Sequence, residues 1–335
     1  MPSLAVAEAL ERRGAQVTFA GSPDRVEAQL VPEAGYELDT FAISGLPRRP
    51  SAELARAVTL ALRAPRACGR ILAQRRPDVV LGGGGYVSGP MVFAASRRKI
   101  PAALLEADAH LGLANRLASP FARRVFLSFP IDGLEGEKYR VTGRPIPDRS
   151  RPLPQAEARR VFGLPEEGPV LLVFGGSLGA RLLNELAIDA FAMAGPAVLH
   201  LCGTRDYDEL RPRVSRPDYR LFAFTEEFGA ALGATDLALA RAGGSVWELA
   251  AAGKPSVLVP GEFATADHQA KNAEYFARSG GAIVVRESDV GRAPELIRSL
   301  LGDPSRLADM SAAMLKLARP DAADEVAEEL LELAA

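Results

Sequence analysis

Residues 170–181 read Val170-Leu171-Leu172-Val173-Phe174-Gly175-Gly176-Ser177-Leu178-Gly179-Ala180-Arg181. Five apolar residues without alternation suit a strand covered by helices on both faces. The glycines end that strand, and a helix follows. Backbone N–H groups at a helix start, with the helix dipole, make an anion site. Ser177 adds a hydroxyl donor, and Arg181 is placed to pair with nearby acids. No Gly-Lys-Ser/Thr follows, so this is not a Walker loop. A plain strand–helix turn is the alternative reading.

The same strand–helix alternation runs along the whole chain. A first series of strands is expected at Gln16–Ala20, Val79–Leu81, Ala102–Leu105, Arg124–Leu127 and Tyr139–Val141. A second is expected at Val170–Phe174, Ala197–Cys202, Tyr219–Phe222, Leu237–Ala240, Ser256–Val259 and Ala282–Val285. Alternation twice over implies an α/β protein of two doubly wound domains. Gly143-Arg144-Pro145-Ile146-Pro147-Asp148, followed by Pro152 and Pro154, suits a hinge. The domains are therefore expected at 1–147 and 148–318. The last helix, from about Asp321 to Leu333, falls in residues 319–335 and need not belong to the second sheet.

Three more glycine segments follow expected strands. Gly82-Gly83-Gly84-Gly85-Tyr86-Val87-Ser88-Gly89-Pro90 lets a ligand or another backbone approach closely. Arg241-Ala242-Gly243-Gly244-Ser245-Val246-Trp247-Glu248 is a second candidate phosphate loop. Glu248 either complements the helix dipole or accepts from two adjacent ribose hydroxyls. Pro260-Gly261-Glu262-Phe263 precedes Asp267-His268-Gln269-Ala270-Lys271-Asn272. Gln269 and Asn272 are i,i+3 on one helical face, and two amides there suit sugar hydroxyls. His268 reads as structural more readily than as a general base. Together these segments suggest a nucleotide sugar. Asp206-Tyr207-Asp208 has metal-ligand spacing but reads better as a helix start. The loops and dipoles are expected to neutralise a diphosphate, with no metal and no cofactor.

Composition sets the remaining bounds. The chain has 335 residues, 48% hydrophobic and 24% charged, as in a globular protein with a core. No run of 18 apolar residues exists, so a spanning helix is excluded. Cys68 and Cys202 lie far apart, which excludes a disulfide framework and fits a reducing compartment. Three histidines and two cysteines without close spacing argue against structural zinc. The net charge of −2 hides an asymmetry. Residues 1–147 carry 20 basic and 14 acidic side chains, and residues 148–335 carry 20 and 28. The basic excess concentrates in residues 48–76, with Arg48, Arg49, Arg56, Arg63, Arg66, Arg70, Arg75 and Arg76 against Glu53. An apolar stripe, Leu54, Ala57/Val58 and Ala61/Leu62, accompanies it. Such a helix either lies on an anionic membrane surface or covers an ordinary core. No aromatic residues interleave with these arginines, so nucleic acid is not an expected partner.

These segments, with Thr142-Gly143-Arg144-Pro145-Ile146-Pro147, resemble the MurG family. Its members are UDP-N-acetylglucosamine:N-acetylmuramyl-(pentapeptide) pyrophosphoryl-undecaprenol N-acetylglucosaminyltransferases. The resemblance covers nearly the whole chain in order. Gly84–Pro90, Gly175–Arg181 and His268-Gln269-Ala270-Lys271-Asn272-Ala273 are specific in combination. It implies a GT-B fold, two Rossmann-like domains facing a cleft, with the last helix packing back on the first domain. It implies a cytoplasmic, peripherally membrane-bound, inverting enzyme of peptidoglycan synthesis. The donor is UDP-N-acetylglucosamine and the acceptor an undecaprenyl-linked muramyl-pentapeptide, lipid I, which becomes lipid II. Ser177 would contact the diphosphate side, Thr225 the uracil, and Phe224 would lie beside the base. Gly243, Gly244 and Ser245 would line the phosphates, Glu248 would hold the ribose, and Gln269 with Asn272 the sugar. Gly83, Gly84 and Tyr86 would face the acceptor, and residues 48–76 the anionic membrane surface.

The sequence also departs from the family pattern. The usual His-Glu-Gln-Asn is here Leu105-Glu106-Ala107-Asp108, so Asp108 stands where an Asn usually contacts the donor. Pro147 replaces an Arg, and Arg144 is the substitute for that contact. Pro2-Ser3-Leu4-Ala5-Val6-Ala7 matches a helix that in the family follows a strand and a Gly-rich loop ending in His. That His is the family's candidate base. Glu106 is then the expected carboxylate to orient or deprotonate the acceptor hydroxyl. Without the strand and loop, the 335-residue form is expected to be less stable and poorly active. Two alternatives stand beside this reading: a GT-B enzyme on a soluble acceptor, and a non-catalytic UDP-sugar-binding protein.

Overall fold

The computed structural model describes residues 1–45, 51–176, 179–261 and 268–335. The chain divides into two compact units, Met1–Pro147 with Pro320–Ala335, and Asp148–Arg319. Unit 1 runs α1 (Pro2–Glu11), β1 (Phe19–Gly21), α2 (Glu27–Glu33), β2 (Leu38–Thr40), α3 (Ala52–Arg75), β3 (Val80–Gly82), α4 (Gly85–Arg97), β4 (Ala102–Glu106), α5 (Leu113–Ala118), β5 (Arg124–Leu127) and β6 (Tyr139–Val141). Unit 2 runs α6 (Gln155–Phe162), β7 (Val170–Phe174), α7 (Arg181–Phe191), β8 (Ala197–Leu201), α8 (Tyr207–Leu210), β9 (Tyr219–Phe222), α9 (Phe228–Ala234), β10 (Leu237–Ala240), α10 (Val246–Ala251), β11 (Ser256–Leu258), α11 (His268–Arg278), β12 (Ala282–Val284), α12 (Ala293–Leu301) and α13 (Pro304–Leu317). The last helix, α14 (Ala322–Ala334), belongs to unit 1.

Every strand pairing is parallel. Unit 2 holds one six-stranded sheet in the order β12-β11-β10-β7-β8-β9. Strands β7, β8 and β10 are buried along their whole lengths, as their unbroken apolar runs require. On one face, Leu171 and Val173 of β7 pack with Leu183, Ala187 and Phe191 of α7 and Ile297 and Leu300 of α12.

Unit 1 holds a four-stranded sheet, β3-β4-β5-β6, and a two-stranded one, β1-β2. Side chains alternate across β4, so its two faces feed two cores. Ala103 and Leu105 join Val6 of α1 and Val326 and Leu330 of α14. Ala102 and Leu104 join Ala64, Cys68 and Leu72 of α3 and Met91, Val92 and Ala95 of α4.

Two elements differ from the expectation. Strand β2 is absent from the expected series, which has no strand between Gln16–Ala20 and Val79–Leu81. Its Asp39 and the preceding Glu37 pair with Arg75 at the end of α3, Asp39 at 2.8 Å. Second, the apolar stripe of α3 is divided. Ala57 is buried, whereas Val58 and Leu62 are exposed, Leu62 at 73%. Arg48 and Arg49 lie outside the described residues.

The charge asymmetry also takes a new form. With α14 included, unit 1 carries 20 basic and 20 acidic side chains. The acids of α14 meet one particular set of arginines. Asp324 pairs with Arg12 (3.2 Å) and Arg13 (2.6 Å), and Glu329 with Arg124 (3.0 Å) and Arg140 (3.3 Å). The arginines of α3 before Arg75 are not among them.

The Arg13 guanidinium holds the Asp324 carboxyl below its ordinary value of 3.8. That stabilisation is complete above the ordinary value and is lost as pH falls through the lower folded-state value. Leu330→Ala should lower the stability of unit 1 by about 2–4 kcal/mol through the cavity it leaves. Asp324→Asn should cost about 0.5–1 kcal/mol at neutral pH. Urea melts at pH 7 check both, and unit 2 should be unaffected.

Candidate active site

In unit 2, β7 pairs with β8 on one side and β10 on the other. Chain order reverses at this strand, and in such sheets ligands bind outside the carboxyl ends there. Phe174 lies opposite Ala240, and Ala240 opposite Leu258. The segments beginning at Gly175, Arg241 and Val259 therefore leave the sheet side by side.

Each segment has a specific anchor. Gly179 has φ +77°, and a Cβ there would lie 1.9 Å from the Cys202 carbonyl oxygen, so only glycine fits. Ser177 lies outside the described residues, as do Leu178 and residues 262–267. Gly243, Gly244 and Ser245 are half-buried, and the space beside Gly243 is open. Arg241 ion-pairs with Glu287 and donates to the Val259 carbonyl at 3.1 Å. It ties the second segment to the third, a role its place in the sequence did not reveal.

Glu248 of α10 accepts from the Ser150 hydroxyl at 2.5 Å. Ser150 was not among the expected site residues, since it lies 98 positions away. Gln269 Oε1 accepts from the Gly261 N–H at 2.9 Å. Asn272 is fully buried and donates from Nδ2 to the Ala242 carbonyl at 3.3 Å. The two amides share a face of α11, as expected, yet each braces a different glycine segment. Beyond β9, the Thr225 hydroxyl accepts from the Glu227 N–H at 3.1 Å, and Phe224 is exposed.

Asp206 precedes α8, and Asp208 lies in its first turn, the expected helix start. Asp206 accepts from Asn184 and Arg205. No group of three or more His, Cys, Asp or Glu side chains fit to hold a metal occurs among the described residues.

In unit 1 the strand ends again gather the expected residues. Gly84 (φ +95°) and Gly85 (φ +71°) make the turn from β3 into α4. A Cβ on Gly83 would strike the Ser3 hydroxyl, whereas Gly85 and Gly89 face open space. Tyr86 is 55% exposed, with its ring against Gly45.

Glu106 ends β4 and is 6% exposed. Its Oε1 accepts from the Asp108 N–H (3.3 Å), and its Oε2 from the Gly112 N–H (2.9 Å) and Asn115 Nδ2 (2.9 Å). The carboxylate thus organises the loop that carries Asp108. Asn115, which also donates to the Leu105 carbonyl at 3.0 Å, was not foreseen as its partner. Arg144 follows β6 and is half-buried.

Comparison with known proteins fits this arrangement. Residues 1–127 match the glycosyltransferase family 28 N-terminal domain, and residues 170–326 the family 28 C-terminal domain. The chain is 39% identical to the UDP-N-acetylglucosamine–N-acetylmuramyl-(pentapeptide) pyrophosphoryl-undecaprenol N-acetylglucosamine transferase of Salinibacter ruber, over 99% of this chain and 93% of that protein. It is 40% identical to the transferase of the same name from Acidithiobacillus ferrooxidans, over 99% and 94%. The chain belongs to the MurG family. A crystal structure of Acinetobacter baumannii MurG superposes with a TM-score of 0.77 at 28% identity, covering 99% of this chain and 95% of that one. The calicheamicin glycosyltransferase CalG4, at 22% identity and TM-score 0.69, shares the fold, over 99% and 94%. The α/β architecture, two units built on parallel sheets, is thus the GT-B fold of MurG.

Removing the Glu106 carboxylate should free its loop. In Glu106→Ala, hydrogen exchange at the Asp108 and Gly112 amides should quicken by about tenfold or more as local opening becomes easier. Unchanged protection would mean that other contacts hold the loop.

Proposed function

We propose that this chain transfers N-acetylglucosamine from UDP-N-acetylglucosamine to the C4 hydroxyl of the muramyl sugar of lipid I, with inversion, giving lipid II. The observation that carries the donor half is the placement of the Gly175 and Arg241 segments side by side at the sheet's reversal point. Family membership supplies the identity of the sugar nucleotide and of the acceptor.

Unit 2 takes the donor. N–H groups of the two glycine segments, with the Ser245 hydroxyl, face the leaving diphosphate, whose charge grows in the transition state, and the family resemblance gives Ser177 the same role. Glu248 accepts from the ribose hydroxyls, displacing the Ser150 hydroxyl. Gln269 presents its amide to the sugar, and Asn272 supports that contact by fixing Ala242. Phe224 and Thr225 border the base.

Unit 1 takes the acceptor through Gly83, Gly84 and Tyr86. Glu106 acts by orientation, since both its oxygens already accept N–H groups. Asp108 and Arg144 are the groups its loop and the β6 end present to substrate.

The same unit meets the membrane. No helix among the described residues is long and apolar enough to cross one. Val58 and Leu62 of α3, Leu113 and Leu117 of α5, and Phe121 are exposed. Beside them is an apolar groove of about 300 Å³ lined by Pro65, Gly89, Pro90, Phe93, Leu117, Ala118 and Phe121. Exposed Arg56, Arg63, Arg66, Arg70 and Arg116 lie on the same two helices. Apolar side chains among arginines suit an anionic lipid surface, where the acceptor's polyprenyl chain is anchored.

Labelled N-acetylglucosamine should move from its UDP donor onto a lipid I analogue, and release of UDP without a disaccharide product would overturn the assignment. Glu106→Gln should reduce kcat about a hundredfold and leave donor KM within about threefold, the signature of an interaction felt after donor binding. Glu248→Gln should raise donor KM about tenfold by weakening hydrogen bonds to a charged acceptor. Leu62→Glu with Leu117→Glu should weaken binding to phosphatidylglycerol vesicles at least about tenfold by removing two inserted apolar groups, without changing UDP affinity.

A further inference from the structure

Behind Gly179 lies a buried polar chain that the reaction itself does not use. The Tyr219 hydroxyl is 2.9 Å from His200 Nδ1, and His200 Nε2 is 3.0 Å from Asn184 Oδ1. Asn184 Nδ2 donates to the Cys202 carbonyl at 2.8 Å and to the Asp206 carboxylate at 2.9 Å. Arg205 donates twice to the same carboxylate, at 2.8 and 3.0 Å. Asn184, His200, Asp206 and Tyr219 are all at most 3% exposed.

The direction of each hydrogen bond is determined. One end of the Asn184 amide faces two acceptors, so that end is the NH2 group. The other end is then the carbonyl, and His200 must donate to it from Nε2. Burial pushes the His200 imidazole down to about 3, so at neutral pH it carries that single proton. Nδ1 is therefore an acceptor, and Tyr219 donates to it. The chain runs from Tyr219 through His200 and Asn184 to Asp206, every donor pointing toward the carboxylate. Arg205 and Asn184 hold that carboxyl below its ordinary range.

The output of this chain is the glycine segment. The Cys202 carbonyl, gripped by Asn184, is the atom against which Gly179 packs without room for a Cβ. Asn184 stands in the first turn of α7, and its own N–H donates to the Ala180 carbonyl at 3.0 Å. One amide side chain thus joins the end of β8, the Gly179 turn and the start of α7.

We propose that Asn184, oriented by His200 and Tyr219, is a positioning residue for the donor diphosphate, setting Gly179 and the first turn of α7 before the donor arrives. The proposal rests on reading the 175–179 segment as the diphosphate loop. The chain touches no substrate and acts through the loop it holds. A preset loop does not reorganise on binding, so losing it weakens donor affinity rather than the chemical step. Backbone donors aimed at a diphosphate are sensitive to small displacements.

The test compares Asn184→Ala, His200→Leu and His200→Gln with the unaltered protein, by calorimetric UDP titration and steady-state kinetics. Asn184→Ala and His200→Leu should raise the UDP Kd and the donor KM about tenfold while kcat at saturating donor stays within about threefold. Acceptor KM should not move. His200→Gln keeps an N–H donor within reach of Asn184 and should recover most of the affinity. Wild-type UDP affinity in folded Asn184→Ala and His200→Leu would overturn the proposal. Should both fail to fold, Tyr219→Phe removes a single hydroxyl and should raise the UDP Kd about threefold. An unchanged Kd there would also overturn it. Failure of the unaltered protein to bind UDP would overturn the loop assignment itself, and the proposal with it.

Discussion

The pairing of β7 with β10, Phe174 opposite Ala240, is the constraint on which the donor side depends. Parallel pairing forces each connection to cross back over the sheet, so every strand ends at the same edge. Chain order runs one way through β8 and β9 and the other through β10 to β12. Two connections therefore diverge at β7, and between their starts the edge stays open. Shifting this pair by one residue would turn Leu171 and Val173 away from α7. The core and the loop geometry are thus set by one register.

Unit 1 uses the same edge differently. Its strand ends present a glycine turn, a buried carboxylate and an arginine, while its helices keep large apolar groups in water. Leu62 and Leu117 gain nothing from that exposure in an isolated unit, and such clusters ordinarily mark a surface that meets something apolar. The acids of α14 sharpen the pattern. They neutralise Arg12, Arg13, Arg124 and Arg140, and leave the arginines of α3 before Arg75, with Arg116 of α5, to act outward. The basic first half and the acidic last helix are one electrostatic object with an unbalanced face.

Much of this was legible in the residues, and the rest was not for physical reasons. Unbroken apolar runs such as Val170–Phe174 mark buried parallel strands wherever they occur. Strand β2 escaped because its Asp39 is matched by Arg75, 36 residues away. Periodicity put Val58 and Leu62 on a helix but did not say that the neighbouring face, through Ala57 and Ala64, is the buried one. It put Gln269 and Asn272 on one face, yet not that Asn272 turns inward to Ala242. The partners of Glu106, Glu248 and the Cys202 carbonyl are side chains brought in by tertiary folding. Asn115, Ser150 and Asn184 look like ordinary polar residues until the strands are assembled.

Charge then decides how the proposed donor site must work. Unit 2 carries 20 basic and 22 acidic side chains, so it has no long-range pull on a diphosphate. Three guanidinium groups near its carboxyl edge are already matched: Arg181 by Glu185 and Glu209, Arg205 by Asp206, Arg241 by Glu287. Releasing any of them toward a ligand means leaving a carboxylate without its partner, which offsets the new contact. The glycine segments themselves offer neutral N–H and hydroxyl donors on short turns. Such donors are individually weak and effective only when several converge on one anion without reorganising. The stiffness supplied by Arg241, Asn272 and Asn184 is therefore part of recognition, because here geometry must supply the attraction that net charge does not.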